Sequence, residues 1–231
     1  MRRNILLIIS FFCTVQSFTQ NLELKIIPVF GNASIIENQW YVTHRGDSIQ
    51  FENIQFYISA IEFETQKGER IKDPQYAHLI DVFEPSTLNI PFNKVNIKTV
   101  KKISFNIGID SLTSVSGALG GDLDPQKGMY WAWQSGYINM KIEGKSPQCK
   151  TRKNAFQFHL GGYMQPFYGK RSIELPIKGQ NTEGVILKID ISRFFESISL
   201  VQQNSIMIPC KEAMELANNS VKMFSIDVQQ K

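Results

Sequence analysis

A succession of short runs, each alternating apolar with polar residues and each closed by Gly, Pro, Asn or Asp, leaves this chain little room for anything but β-structure. "LELKIIPVF" (22–30) places Leu22, Leu24 and Ile26 on one face before Pro28. "DSIQFENIQFYISAIEFETQ" (47–66) is rich in β-branched and aromatic residues. "YAHLIDVF", "TLNIPF", "KKISFNIGID", "GYINMKIEG", "AFQFHLGGY", "RSIELPI" and "GVILKIDI" follow. The spacing predicts an all-β domain, an antiparallel sandwich or barrel-like sheet. After Pro209 the period changes: Ala213, Leu216, Ala217, Val221 and Phe224 recur at helical spacing, so a C-terminal α-helix is expected to pack on the sheets. Residues 111–128, with Gly117, Gly120, Gly121, Pro125 and Gly128, read as a long loop, a kind of segment that is often functional.

The first residues belong to a different program. Arg2 and Arg3 precede an apolar run from Ile5 to Cys13, and Ser17-Phe18-Thr19 supplies a small-residue cleavage site. Residues 1–19 are therefore expected to be a secretory signal peptide cut after Thr19, with a single domain over 20–231 and a secreted or periplasmic destination. Bulky Phe11 and Phe12 before Cys13 argue against lipidation there. No other stretch is apolar for the roughly eighteen residues a transmembrane helix needs. The formal charge of +4 falls to +2 without Arg2 and Arg3, and no basic stripe is present, so nucleic acid is not an expected partner. Two cysteines remain after cleavage, Cys149 and Cys210. An even pair in an oxidising compartment suggests one disulfide; a thiolate pair on a soft metal is the alternative.

Catalytic motifs are missing. There is no G-x-S-x-G and no cysteine in a catalytic-looking histidine neighbourhood, which argues against an enzyme. Asp122 and Asp124 in "GGDLDPQKG" resemble a calcium-loop fragment, but the later carboxylates are lacking and a turn begun by Asp124-Pro125 explains them better. Three histidines exist. His44 precedes a Gly-Asp turn and is expected to be exposed. His78 and His159 lie within strands, where a lone histidine is usually a hydrogen-bonded structural residue; two of them could instead converge on copper or zinc. In "GMYWAWQSGYINMKIEG" (128–144) an extended chain would put Trp131, Trp133 and Tyr137 on one face, and packing alone accounts for two indoles.

Several of these pieces occur in the order of a known family. "QFYISAIEF", "HLIDV", "FNIGID", "GALGGDLDPQKGMYWAWQSGYINMKIEG", "FQFHLGGY" and the tail from Ile206 to Ile226 resemble the MbnP-like family, the secreted copper-binding proteins associated with methanobactin operons. The resemblance implies a β-sandwich-type protein without catalytic activity of its own. It implies Cu(I) held by histidines and a tryptophan oxidised to kynurenine, with a MauG-type di-haem peroxidase as the partner that oxidises it. On this chain the matching positions are Trp131 and Trp133 for the Trp-x-Trp motif, and His78 and His159 for the histidines. Cys210 stands where a glycine-like or polar turn residue is expected, which supports pairing with Cys149. With three histidines in all, a site drawing on further N-terminal histidines would be missing. The alternative is an extracellular structural or ligand-binding β-sandwich without metal.

Overall fold

The architecture is organised by one long strand. A computed structural model describes residues 22–93, 95–178 and 182–230; the leader read over residues 1–19 lies outside them. The main strands are β1 (Leu22–Phe30), β2 (Ser48–Thr65), β3 (Ala77–Asp81), β4 (Val100–Ile107), β5 (Gly136–Lys145), β6 (Ala155–Gly161), β7 (Arg171–Pro176), β8 (Thr182–Asp190) and β9 (Phe224–Gln230). Two helices join them, α1 (Ser111–Val115) and α2 (Lys211–Ser220). The large sheet runs β7-β4-β2-β5-β6 and ends on the short strand Ser205–Ile206. The smaller sheet runs β9-β8-β1. The fold is all-β and sandwich-like, with curled mixed sheets.

Strand β2 explains the curl. Its core-facing residues are Ile49 and Phe51, then Ile54, Phe56 and Ile58, then Ile61 and Phe63. The period of two is broken twice by a step of three, at the places where pairing with β5 and with β4 becomes irregular. Such bulges add a residue, bend the strand and increase its twist. Ala60, at the second one, has φ of 50°. Along one edge β2 pairs first with β5 and then with β4, so the sheet forks near Tyr57. Asn139 fills the fork: its Oδ1 accepts from the Ile109 backbone N–H at 3.0 Å, and its side chain occupies the space beside Gly108 that a Cβ there would need.

Both sheets close on a continuous core that includes Phe51, Phe156, Phe158, Phe194 and Phe195 in mutual edge and tilted contacts. Helix α2 lies on this core through Ala213, Leu216, Ala217 and Ser220. It ends earlier than its apolar spacing predicts: Phe224 opens β9, which pairs with β8, so a strand follows the helix. The sheets are also not wholly antiparallel. β1 pairs with β8 in parallel, as does β6 with Ser205–Ile206. These partners are far apart in sequence or joined by a crossover, and no hairpin turn announces them.

The expected disulfide is absent: Cys149 and Cys210 are both free thiols. Cys149 lies beside the start of β6, where its backbone N–H reaches Ser146, which in turn bonds Asn154. Its thiol sits in the core against the Leu200 carbonyl. Cys210 follows Pro209, which packs by Gly162 just past the end of β6, and its Sγ accepts from the Ala213 N–H as the cap of α2. The length of β6, about 20 Å at 3.3 Å per residue, therefore separates the two. A disulfide needs Cα atoms within about 7 Å. Burial pushes the Cys149 thiol up to about 11. Alkylation of the denatured protein without reductant should label both cysteines, while the native protein at mildly alkaline pH should leave Cys149 unlabelled; a peptide linking positions 149 and 210 by mass spectrometry would contradict this.

Candidate functional site

The aromatic stretch 128–144 folds back on itself. Tyr130–Trp131 is a two-residue strand paired with the start of β5, Trp131 opposite Gly136 and Tyr130 opposite Tyr137. Between them the Gln134 N–H bonds the Trp131 carbonyl and Ser135 takes φ of 53°, closing a tight hairpin. The turn separates two indoles that an extended chain would place alike: Trp131 is 6% exposed and Trp133 is 63% exposed. They remain in contact, with ring centroids 5.5 Å apart.

Trp131 lies on the outer face of the large sheet, in a second apolar cluster with Tyr57, Leu79, Met129 and Tyr137. Its six-membered ring covers Gly161, where a Cβ would stand 2.4 Å from Cζ3. Gly161 is two residues beyond His159 on β6, so the indole and the imidazole share one face. The segment 111–128 folds over this cluster. It is not a plain loop, for it contains α1 and two 3-10 turns, and Asp124 initiates the second of these by accepting from the Gln126 N–H. Asp122 is bonded to the Leu79 N–H and to Lys127. The Tyr57 hydroxyl donates to the Asp122 carbonyl, and the Tyr137 hydroxyl accepts from the Leu119 N–H.

His159 has a side chain only 8% exposed, and its Nε2 lies 2.8 Å from Glu143 Oε1. Glu143 is gripped from both neighbouring strands: Asn53 Nδ2 donates to Oε2 at 3.1 Å and Gln157 Nε2 to Oε1 at 3.4 Å. The bond from His159 holds the Glu143 carboxyl below the usual carboxylate range; burial opposes this, while the His159 charge, Asn53 and Lys141 reinforce it. Lys141, opposite His159 in the register, bonds the Gly128 carbonyl, and burial pushes its ammonium down. Trp133 looks outward over a hollow of about 260 Å³ lined by Met164, Phe167, Ile208 and Pro209.

His78 does not join this site. It pairs with Ile58, a core-facing residue, whereas His159 pairs through Lys141 with Gln55, which faces outward. The two imidazoles stand on opposite faces with β2 and β5 between their strands, a lateral separation of about 14 Å at 4.8 Å per strand. His78 Nε2 is bonded at 2.6 Å to Asp73 Oδ2. His44 is exposed, as expected. Among the described residues no group of three His, Cys, Asp or Glu side chains could hold a metal ion. A two-histidine copper set from His78 and His159 therefore does not fit this chain. His159 remains as a single candidate donor on the face that Trp131 covers at Gly161, with Nε2 taken by the carboxylate. Sequence reasoning missed Glu143 and its grip. The available signal was the alternation Lys141-Ile142-Glu143, which puts both charges on one face of β5, the face that the register then matches to His159 and Gln157.

The fold and this face define an all-β domain with an aromatic and histidine-bearing outer surface. The MbnP family model matches residues 19–208, and the chain belongs to that family of methanobactin-associated proteins. The solved structure of MbnP from Methylosinus trichosporium is similar over 90% of this chain and 98% of that one, with a TM-score of 0.66 at 12% identity, a likeness of fold. No curated protein matches the chain. Among the described residues no helix is long and apolar enough to cross a membrane.

Because Gly161 is the floor under Trp131, Gly161→Ala should destabilise the fold by about 1–3 kcal/mol through overpacking. Urea unfolding followed by tryptophan fluorescence measures this; a loss below about 0.5 kcal/mol, the range of neutral surface changes, would mean the indole does not rest there.

Proposed function

We propose that this chain acts outside the cytoplasm as a non-catalytic copper-binding protein, with Cu(I) held at His159 beside Trp131. The reading is supported most by one arrangement, the nearly buried His159 with a carboxylate on one nitrogen and an indole two residues along the same face. Imidazole suits copper, and a ligating histidine commonly donates its other N–H to a carboxylate. Family membership supports the metal and the export. A single histidine is a sparse donor set, so a second donor from an oxidised Trp131 or Trp133, converted to kynurenine by a MauG-type di-haem peroxidase, completes the proposal. His78 has no part in it.

Anaerobic Cu(I) titration of the mature protein recovered from its host, with mass spectrometry of the peptides carrying positions 131 and 133, is the test. One copper per chain is expected in wild type and in His78→Ala, and none in His159→Ala. Loss of copper in a folded His78→Ala, or no stoichiometric copper in wild type, would overturn the reading. The second reading, a structural or ligand-binding β-sandwich without metal, is favoured by the separation of His78 from His159. It expects no copper uptake, unmodified indoles, and Trp131→Phe lowering stability alone.

A further inference from the structure

We propose that Glu143 is a positioning residue that fixes the tautomer of His159, so that Nδ1 is the nitrogen offered to a ligand. The proposal rests on the copper reading only for the identity of that ligand; the tautomer itself follows from the hydrogen bonds.

A carboxylate at neutral pH is ionised and can only accept, so the 2.8 Å contact requires His159 Nε2 to carry the proton. In a neutral imidazole the lone pair then resides on Nδ1. Glu143 cannot easily turn away, because each of its oxygens has a second constraint. Oε2 takes the amide of Asn53 from β2, and Oε1 is shared between His159 and the amide of Gln157 from β6. These are register neighbours: Asn53 and Gln157 both stand opposite Glu143. The carboxylate is thus fixed across three adjacent strands. The imidazole is fixed in turn, with most of its surface covered. Supporting carboxylates of this kind orient a histidine ligand and raise its basicity, and their loss typically weakens metal binding about 10- to 100-fold.

The test has an arm without metal and an arm with it. In the folded wild-type protein, at a pH where the imidazole is neutral, the ring ¹⁵N shifts of His159 should show Nε2 protonated and Nδ1 bare. Finding the proton on Nδ1 overturns the proposal outright, whether or not any variant folds. In Glu143→Ala, with the sheet intact by circular dichroism, the single tautomer should give way to a mixture, and added formate should restore it by refilling the carboxylate position. An unchanged tautomer in folded Glu143→Ala overturns the proposal as well. On adding Cu(I), the Nδ1 resonance should be the one perturbed, and affinity by competition with a chromophoric chelator should fall about 10- to 100-fold in Glu143→Ala. Copper on Nε2 would overturn it. The expected tautomer in a wild-type protein that takes up no copper would leave Glu143 in its role and remove the copper reading instead.

Discussion

Strand β2 is the constraint on which the rest of the structure depends. Eighteen residues of continuous pairing are more than a flat strand can use, because twist accumulates along it. Its two irregular steps release that twist as curvature, and the same strand then serves two partners along one edge. The first half carries β5 and β6 and hence the aromatic and histidine face. The second half carries β4 and β7. Asn139 at the fork and the apolar residues 49 to 63 beneath it hold the two halves in one sheet.

That arrangement decides what the site can contain, through parity alone. Successive residues of a strand point to opposite faces, so any two residues in register across the sheet inherit the same side. His159, Lys141, Gln55 and Asp81 form one such row on the outer face. His78, three residues from Asp81 along β3, falls on the other side with Ile58 and Ile80. Only a one-residue slip of β3 would bring it round, and that slip would drive Leu79 and Ala77 from their apolar cluster into the core side. The separation of the histidines is thus built into the hydrophobic pattern of β3.

Much of this was legible in the sequence. The alternating runs identified nearly every major strand, and the period change after Pro209 located α2. What stayed hidden shares a physical cause, dependence on partners remote along the chain. Parallel pairing of β1 with β8 has no local turn to signal it. The cysteines looked like a pair because two remained, yet the length of β6 stands between them. The hairpin at 130–137 was obscured because aromatic residues suit an extended strand, while the reversal depends on the backbone of Gln134 and Ser135. At the site, His159 and Trp131 were singled out by the family resemblance, whereas Glu143 acquires its role only when β2, β5 and β6 lie side by side.

Among the described residues two histidine–carboxylate pairs have nearly equal length, and their surroundings separate their roles. Asp73 has a side chain only 4% exposed, and its other oxygen accepts from the Gln75 N–H, so its pairing with His78 fastens the turn at 73–76 to β3. The nearby Tyr76 hydroxyl, bonded to Asp110, fastens the same turn to the start of α1. The polar contacts of that group tie the turn to its surroundings, to Ile61 and Ala60 of β2, to Asp110 and to Asp122. Glu143 and His159 instead sit in the middle of a sheet, where backbone pairing is already complete and no loop needs fastening. Amides from both neighbouring strands converge on the carboxylate there, and an indole covers the next residue on the same face. Two contacts alike in distance thus differ in setting: His78 fastens a turn to its strand, and His159 is held in mid-sheet by a carboxylate that both neighbouring strands position.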